Sequence, residues 1–238
     1  MMRKFLLLAL ASILLQFTNA QKTIYDANAQ VRTVGSFTGI SVSGSVDLYI
    51  SMGSEDVVAV SSDDAALAAR ITTEVKNGIL YIGLDSKGIN NWGSKSLKAY
   101  VSAKTMNKLQ ASGASDVHVD GALKGTDLSI ELSGASDFTG AVDVQNLRLQ
   151  SSGSSDCNIS GKATNCRISV SGASDVKGYE LVTDNCDAHA SGSSDIKITV
   201  KNQLRGEASG ASDINYKGNP TVKDVRSSGS GDIKQINN

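Results

Sequence analysis

The sequence predicts an all-β protein, a parallel β-helix in which each coil of the solenoid takes about 19–20 residues. Three observations lead to this fold class: a recurring hexapeptide, a strict alternation of apolar and polar residues ahead of it, and too little chain between copies for a helix. The hexapeptide, Ser-Gly-(Ala/Ser)-(Ser/Gly)-Asp-apolar, occurs seven times between Ser112 and Ile233. Self-similarity at a fixed period of this length indicates stacked units that each lack a core of their own.

The aspartate of each hexapeptide marks the same point of every coil. Successive aspartates are 21, 19, 19, 20, 18 and 19 residues apart. Equivalent strands of neighbouring coils are therefore expected to pair in parallel about 4.8 Å apart, and the rest of the coil supplies the crossover that a parallel pair requires. The glycine suits a sharp corner, because it admits a bend that a Cβ would obstruct. The seven aspartates are Asp116, Asp137, Asp156, Asp175, Asp195, Asp213 and Asp232.

The residues ahead of each corner alternate in character. Leu128, Ile130 and Leu132 stand at even distances before one corner glycine, whereas Ser129 and Glu131 stand at odd distances. Such alternation is typical of a strand with one buried face, since successive side chains point to opposite sides. An inward residue four positions after each glycine predicts a second short strand. An antiparallel sandwich is the alternative, but it gives no reason for the hexapeptide to recur once in every two strands.

Residues 21–106 predict a β-rich N-terminal module, and residues 107–238 the β-helix repeats. Within the module, residues 43–48 have the outline of the hexapeptide, and Asn77-Gly78 is a two-residue hairpin signal. Residues 63–70 predict a short helix with an aspartate cap. The module is expected to pack onto the first coil and cover one end of the solenoid, whose backbone groups would otherwise be unpaired. Its predicted strands are 57–60, 71–75, 79–84 and 97–101.

Residues 1–20 predict a secretory signal peptide. Arg3 and Lys4 precede an apolar run over residues 5–15, and small residues around Ala20 supply a cleavage site. No later stretch reaches the ~18 apolar residues of a membrane helix, so no transmembrane segment is predicted in the mature chain. The mature protein is expected to be exported, to the periplasm, the cell surface or the medium. It carries 21 basic and 24 acidic residues, a net charge of about −3, which argues against a nucleic-acid partner.

The chain resembles the bacterial family called putative auto-transporter adhesin, head GIN domain. The resemblance rests on the Ser-Gly-Ala-Ser-Asp repeats, on the segment Phe-Thr-Gly-Ile-Ser-Val-Ser-Gly-Ser-Val-Asp-Leu at residues 37–48, and on Val-Lys-Asn-Gly-Ile-Leu-Tyr-Ile at residues 75–82. It covers nearly the whole mature chain. The resemblance implies a right-handed parallel β-helix and an adhesive role, and it brings no catalytic or binding motif with it.

The seven corner aspartates are the first candidate site. In the aligned register they form a column on one edge of the solenoid, and a row of carboxylates is a candidate for Ca²⁺, which favours oxygen ligands. The structural interpretation is stronger, since an aspartate at a corner can accept backbone N–H bonds from its own turn. Repulsion between unit charges ~4.8 Å apart in water is only about 1 kcal/mol. Lys177, Lys197 and Lys234, two residues beyond corner aspartates, are expected to offset part of the charge.

The three cysteines are Cys157, Cys166 and Cys186. Cys166 and Cys186 stand in the same inward column of adjacent coils, where small core residues are expected to stack. Their Cα atoms would then lie ~4.8 Å apart, a separation that permits a disulfide in an exported protein. Cys157 belongs to another wall and is expected to be free and buried. His118 and His189 occupy outward columns and lack the converging partners of a zinc site.

Two classes of function remain. The first is a non-catalytic envelope or surface protein, an adhesin that presents a β-helix face to a glycan, a matrix component or an envelope protein. The alternative is a polysaccharide-degrading β-helix enzyme, a lyase or hydrolase, which needs converging carboxylates or bases in a groove. The repeats are uniform, and the irregular segment at residues 85–98 is the one candidate for such a groove. No cofactor is predicted, and the non-enzyme is favoured.

The last coil suggests a further partner. Only five residues, 234–238, follow Ile233 in this sequence, so the C-terminal coil is expected to offer unpaired backbone groups. Pairing with a second protomer through that coil would satisfy them.

Overall fold

The computed structural model describes residues 26–88 and 95–237. The protein is a β-solenoid of about seven turns, with 65% of the described residues in strands and 2% in helix. The predicted all-β parallel architecture is therefore confirmed. Residues 1–20, where the signal peptide is predicted, lie outside the described residues, as does the middle of the irregular segment at residues 85–98.

The strands divide into an N-terminal group and a repeat group. The N-terminal group is β1 (Gln30–Arg32), β2 (Gly39–Val42), β3 (Asp47–Met52), β4 (Val57–Ser62), β5 (Ile71–Lys76), β6 (Ile79–Leu84), β7 (Leu97–Ala103) and β8 (Lys108–Ala111), with helix α1 (Ala65–Ala68) between β4 and β5. The repeat group is β9 (Val117–Leu132), β10 (Phe138–Ser151), β11 (Cys157–Val170), β12 (Val176–Gly192), β13 (Asp195–Gly210), β14 (Asp213–Lys217), β15 (Val222–Ser227) and β16 (Asp232–Gln235).

The repeat strands stack in parallel and in the register that the hexapeptide predicts. Phe138 of β10 pairs with Val117 of β9 on one side and with Cys157 of β11 on the other. The same column continues through β12, β13, β14 and β16. Equivalent residues of successive coils are therefore direct neighbours. The segments that follow the corners, such as residues 138–144, form one face of the solenoid, and the segments that precede the corners, such as residues 146–151, form another. We call them the post-corner face and the pre-corner face.

Each corner is turned by a glycine in the left-handed region. Gly153 has φ +87°, and a Cβ built on it would lie 2.4 Å from the carbonyl oxygen of Gly134 in the preceding coil. The same oxygen accepts a hydrogen bond from the Ser154 N–H at 2.8 Å. The corner backbones are thus in direct contact, and the position excludes a side chain on both conformational and steric grounds.

The core is a narrow column of inward side chains. The predicted inward positions ahead of the corners are buried, among them Ile130, Leu149 and Ile168, which are fully inaccessible. The column after the corner is also buried as far as Ile214, and Phe138 is the largest side chain in it; Ile233 at the end of the column is partly buried. One continuous apolar core runs from the N-terminal strands to the last described coils.

The N-terminal strands continue this solenoid before they depart from it. β2 pairs in parallel with β8, and β3 pairs in parallel with β9, so residues 43–48 form a corner of the same kind. Beyond them β4 pairs antiparallel with both β1 and β7, and β5 pairs antiparallel with β6. The predicted hairpin is confirmed, since Asn77 and Gly78 both have positive φ, 52° and 75°. The division at residue 106 stays a prediction.

The short predicted helix is also confirmed. Asp64 is its N-cap, and the carboxylate Oδ1 accepts hydrogen bonds from the N–H groups of Ala66 and Leu67 at 2.8 and 3.3 Å. The helix buries Leu67 and Ala68 against the sheet. Among the described residues, no helix is long and apolar enough to cross a membrane.

Replacing Gly153 by alanine should destabilise the protein. The new Cβ would clash with backbone at 2.4 Å, and the residue would have to hold φ +87°. We expect the free energy of unfolding in urea to fall by about 2 kcal/mol or more, with a melting temperature lower by roughly 5 °C.

Gly35→Ala is the matched control, because nothing lies within 4 Å of the Cβ that would be added there. Equal stability of the two variants would contradict the steric account of the corner.

Candidate functional site

The corner aspartates form a hydrogen-bonded ladder that joins the coils. The Asp156 N–H donates to Asp137 Oδ1 at 2.9 Å, and the Asp232 N–H donates to Asp213 Oδ1 at 3.0 Å. Four further steps of the ladder are made in the same way, at 3.1 to 3.4 Å, beginning at Asp47. The predicted acceptor role is therefore real, but the donor comes from the next coil and not from the aspartate's own turn.

The last aspartate accepts its hydrogen bond from its own turn instead of from the next coil. Asp232 has no described coil beyond it, and its Oδ1 accepts from the N–H of Ile233 in its own turn, at 2.7 Å. Two of the three predicted lysines bind outer oxygens: Lys177 Nζ lies 2.8 Å from Asp156 Oδ2, and Lys234 Nζ lies 2.7 Å from Asp232 Oδ2. The third, Lys197, has no ion pair with a described residue. The hydrogen bond from Lys234 lowers the pKa of Asp232.

A second ladder of buried serines runs beside the aspartates in the opposite direction. The Ser136 N–H donates to Ser155 Oγ of the following coil at 3.2 Å, and the Ser155 N–H donates to Ser174 Oγ at 3.0 Å. The fourth position of the hexapeptide therefore supplies a buried hydrogen-bond acceptor, a role that the repeat pattern alone does not indicate. Six serines of this ladder are completely buried: Ser115, Ser136, Ser155, Ser174, Ser194 and Ser212.

These ladders bear on the predicted calcium column. Most of the aspartates direct Oδ1 at a backbone N–H, so the oxygens are engaged in joining coils. In the described part of the chain, no group of three or more Asp, Glu, His or Cys side chains is placed to hold a metal ion. The calcium column stays a prediction, and the hydrogen bonds supply the structural role for the same residues.

An open groove on the pre-corner face brings polar and charged groups of several coils together. It has a volume of about 410 Å³ and spans four successive coils. One side is a row of amides, Asn146, Asn165, Asn185 and Gln203, and the other is a row of charged residues, Arg167, Asp187 and Arg205. The two rows stand two residues apart on the same strands and therefore face the same side. Buried Leu147, Cys166 and Cys186 lie between them.

The amide row is held by hydrogen bonds between coils. Asn165 Nδ2 donates to Asn146 Oδ1 at 2.9 Å, and Asn185 Nδ2 donates to Asn165 Oδ1 at 3.0 Å. Asn146 Nδ2 in turn donates to Asp127 Oδ1 at 2.8 Å. Asn146 and Asn165 thus each use one donor and one acceptor, and Asn185 uses one donor. Because a side-chain amide has two donors and an acceptor with two lone pairs, hydrogen-bonding capacity remains on the solvent side.

The charged row is a network around Asp187. Arg167 donates to Asp187 Oδ2 through Nε at 3.1 Å and through the terminal nitrogen at 2.6 Å. His189 lies between two carboxylates, with Nε2 2.8 Å from Asp187 Oδ1 and Nδ1 3.2 Å from Glu207 Oε2. Burial opposes ionisation of Asp187, but the Arg167 hydrogen bonds and the neighbouring His189 hold its pKa below the usual value.

Arg205 stands apart from this network. Its side chain is exposed at the end of the groove. Asp187 and Asp224 flank it in register on the adjacent strands, but Asp187 pairs with Arg167, and Asp224 pairs with Arg226 at 3.6 Å. Among the described residues, Arg205 has no hydrogen-bond or ion-pair partner. The groove therefore ends in an uncompensated positive charge.

The cysteines occupy the predicted positions. Cys166 and Cys186 are direct register partners on β11 and β12, both are buried, and both are thiols in this structure. The side-chain hydrogen bond that Cys186 makes to Cys166, together with burial, raises the pKa of Cys186. Burial likewise raises the pKa of Cys157, which suits a core thiol and not a nucleophile. The disulfide between Cys166 and Cys186 stays a prediction.

The post-corner face carries an aromatic strip. Tyr49 stacks on Tyr100 with ring centroids 5.3 Å apart, and on His118 at 5.1 Å. The Tyr100 hydroxyl donates to Asp26 Oδ2 at 2.8 Å. Because the rings stack along the solenoid axis, their faces meet one another and their edges meet solvent. This arrangement joins coils and offers little ring face to a ligand.

Alternation indicates that Arg167, Asp187 and Arg205 point outward, but it does not bring them together, and nothing in the repeats singles out the amide row. His189 was interpreted as a lone surface histidine, whereas it joins Asp187 and Glu207. The signal that could have found the groove is the coil spacing. Charged residues that are one coil apart in the sequence, such as Arg167, Asp187 and Arg205, become direct neighbours on one face.

An open polar groove along the outside of a filled solenoid is the kind of surface found in repeat proteins that bind extended ligands. The chain belongs to the family described as putative auto-transporter adhesin, head GIN domain, whose model matches residues 36–220. No functionally curated protein matches the chain.

Solved structures share the fold. A putative adhesin from Bacteroides fragilis is 24% identical with a TM-score of 0.79, over 87% of this chain and 96% of that chain. A putative adhesin from Parabacteroides distasonis is 17% identical with a TM-score of 0.70, over 88% and 96%. A putative lipid binding protein from the same species is 20% identical with a TM-score of 0.64, over 88% and 98%. At these identities the similarity shows the fold alone.

Asp137→Ala should weaken the joint between two coils. The variant removes the acceptor for the Asp156 N–H, and we expect a loss of about 1 kcal/mol in the free energy of unfolding. Asp137→Asn, the matched control, keeps an acceptor oxygen and should lose less. Calcium or a chelator should leave the melting temperature of the wild type unchanged. Stabilisation by calcium that Asp137→Asn abolishes would instead establish a metal column.

The oxidation state of the cysteines can be counted directly. We expect the purified protein, unfolded and alkylated without reductant, to gain three modifications by intact mass, because Cys157, Cys166 and Cys186 are free thiols here. The native protein should react slowly, since all three are buried. A single modification without reductant and three after reduction would demonstrate a disulfide in place of the thiol pair.

Proposed function

We propose that the protein is an exported, non-catalytic binding module of the cell envelope or surface, an adhesin that presents a solenoid face to a glycan or protein ligand. The observation that carries the proposal is the open groove, in which amide and charged side chains of four coils form regular rows. Affinity can be distributed over such rows without a deep pocket. Membership of a family described as adhesins supports the same class of function.

The composition of the groove argues for binding over catalysis. Hydrolysis of a glycosidic bond ordinarily uses two carboxyl groups on either side of the scissile bond. Among the described residues that line the groove, Asp187 is the single carboxylate. It is ion-paired with Arg167, and its pKa lies below the usual value, which is the opposite of what a general acid needs.

A lipid ligand fits the solenoid less well. One of the structurally similar proteins is described as a putative lipid binding protein. In this chain the inward side chains fill the solenoid as a continuous core. The large exposed apolar residues of the described chain are scattered, with Val31 and Tyr81 on N-terminal strands and Val222 and Val225 on β15. A polar groove favours a ligand rich in hydroxyl, amide or charged groups.

Export and self-association belong to the same proposal. The signal peptide over residues 1–20 and the family description support export, to the periplasm, the surface or the medium. Within the described chain, β15 and β16 each pair on one side, with β13 and β14 respectively. These edges support pairing of two protomers through the C-terminal coil.

The proposal predicts retention without degradation. The mature protein, incubated with a broad array of glycans and matrix proteins, should be retained on a subset of ligands while no fragments appear in the supernatant. Fragments of a polysaccharide would contradict the non-catalytic assignment and favour the lyase or hydrolase. Absence of retention on every surface would contradict the adhesin.

A further inference from the structure

We propose that the groove on the pre-corner face binds a linear acidic glycan, with the amide row contacting its hydroxyl groups and Arg205 pairing with a carboxylate. The inference rests on the proposed binding function and goes beyond it by naming the site and the chemical class of the ligand. Four features carry it: the amide row, the direction of the groove, the guanidinium group of Arg205, which has no partner among the described residues, and the pairing of the charged groups around it.

The amide row suits vicinal hydroxyl groups. Asn165 donates one hydrogen to Asn146 and accepts one from Asn185, so both neighbours fix the plane of its amide. The remaining N–H and lone pair point away from the row and form an adjacent donor and acceptor. Two neighbouring sugar hydroxyls offer the complementary pair. Because the amides are held before the ligand arrives, little side-chain entropy is lost on binding.

The direction and period of the groove suit a chain molecule. From Asn146 to Gln203 the row crosses four coils, three strand spacings, which is roughly 14 Å. The amides repeat once per coil, a period comparable to the length of one sugar residue in an extended polysaccharide. An extended ligand along the solenoid axis would thus meet the same donor and acceptor at successive residues.

Arg205 gives the groove its charge preference. A guanidinium group binds a carboxylate through two parallel hydrogen bonds. Arg167 already donates two hydrogen bonds to one oxygen of Asp187, Oδ2, whereas Arg205 has no partner in the described chain. Glu207, two residues along the strand, lies with Oε2 3.2 Å from Nδ1 of His189. The ligand that best matches the site therefore carries carboxylates at intervals along a hydroxyl-rich chain.

Arg205→Gln tests the inference with little risk to the fold, because the side chain is exposed and without a partner among described residues. The probes are polygalacturonate, an acidic linear glycan, and dextran, a neutral one, each immobilised and titrated with mature protein. We expect the wild type to bind polygalacturonate more tightly than dextran, with affinity that falls as salt rises. Arg205→Gln should weaken polygalacturonate binding about tenfold and reduce the salt dependence.

Two further variants sharpen the result. Lys124→Gln is the matched control, since it removes one exposed positive charge outside the groove and should change the affinity by less than about twofold. Asn165→Leu removes the hydrogen bonds of one amide while keeping its volume, and should weaken binding of the acidic glycan. The melting temperature of each variant shows whether the fold is retained; Arg205→Lys, which keeps the charge, should restore part of the affinity.

The possible outcomes distinguish an error in the proposed binding site from an error in the proposed function. Undiminished polygalacturonate binding by Arg205→Gln and Asn165→Leu would overturn the groove as the site while the adhesin proposal stands. Preference for dextran would overturn the acidic class. Binding of a polyglutamate peptide in place of both glycans, with the same sensitivity to Arg205, would assign the groove to an acidic protein segment and overturn the glycan. Failure of the wild type on every glycan and matrix protein would overturn the proposed function as well.

Discussion

The close contact of backbone with backbone at the glycine corners is the constraint on which the whole solenoid depends. At each interior corner the chain turns with positive φ, and the carbonyl oxygen of the preceding glycine occupies the space that a Cβ would need. Only this approach lets the following N–H reach that carbonyl at 2.8 Å and keeps successive coils in register. The buried columns, the side-chain ladders and the rows of the groove all follow from coils stacked at that distance.

The polar ladders make the register specific. The serine N–H groups donate forward to the next coil, whereas the aspartate N–H groups donate back to an aspartate of the previous coil. A slip of one coil by a single residue would exchange the two positions, break both ladders and turn the inward column to solvent. The hydrophobic core supplies the general driving force, and the corner hydrogen bonds select one arrangement from the stacked alternatives.

The sequence predicted the architecture far better than the site. Periodicity identified the coils, the inward columns and the corner aspartates, because each of these is repeated seven times and any one copy supports the others. The Asn77-Gly78 hairpin and the helix capped by Asp64 were also predictable, since their signals are local. The partner of each corner aspartate was not, because a side chain at a corner can reach its own turn or the next coil, and only the stacking distance decides between them.

Predicting the groove would also have required knowing which side chains reach one another between neighbouring coils. Alternation places Arg167 and Asp187 on the outside, but it does not say that Asp187 pairs with Arg167 and leaves Arg205 without a partner in the described part of the chain. That outcome depends on which side chain reaches across a strand gap, and the repeats do not encode it because the outward residues differ from coil to coil.

The joints between interior coils are chemically the same, and this sameness affects how such proteins can evolve. Because every interior corner presents the same hydrogen-bond donors and acceptors on its two sides, the duplication or loss of one coil's coding segment leaves both new junctions chemically complete. Each added coil would lengthen the groove by one position while its outward residues remain free to diverge. Ligand reach and ligand chemistry are therefore separable traits in this architecture: the first is set by the number of coils, and the second by the side chains that the coils carry outward.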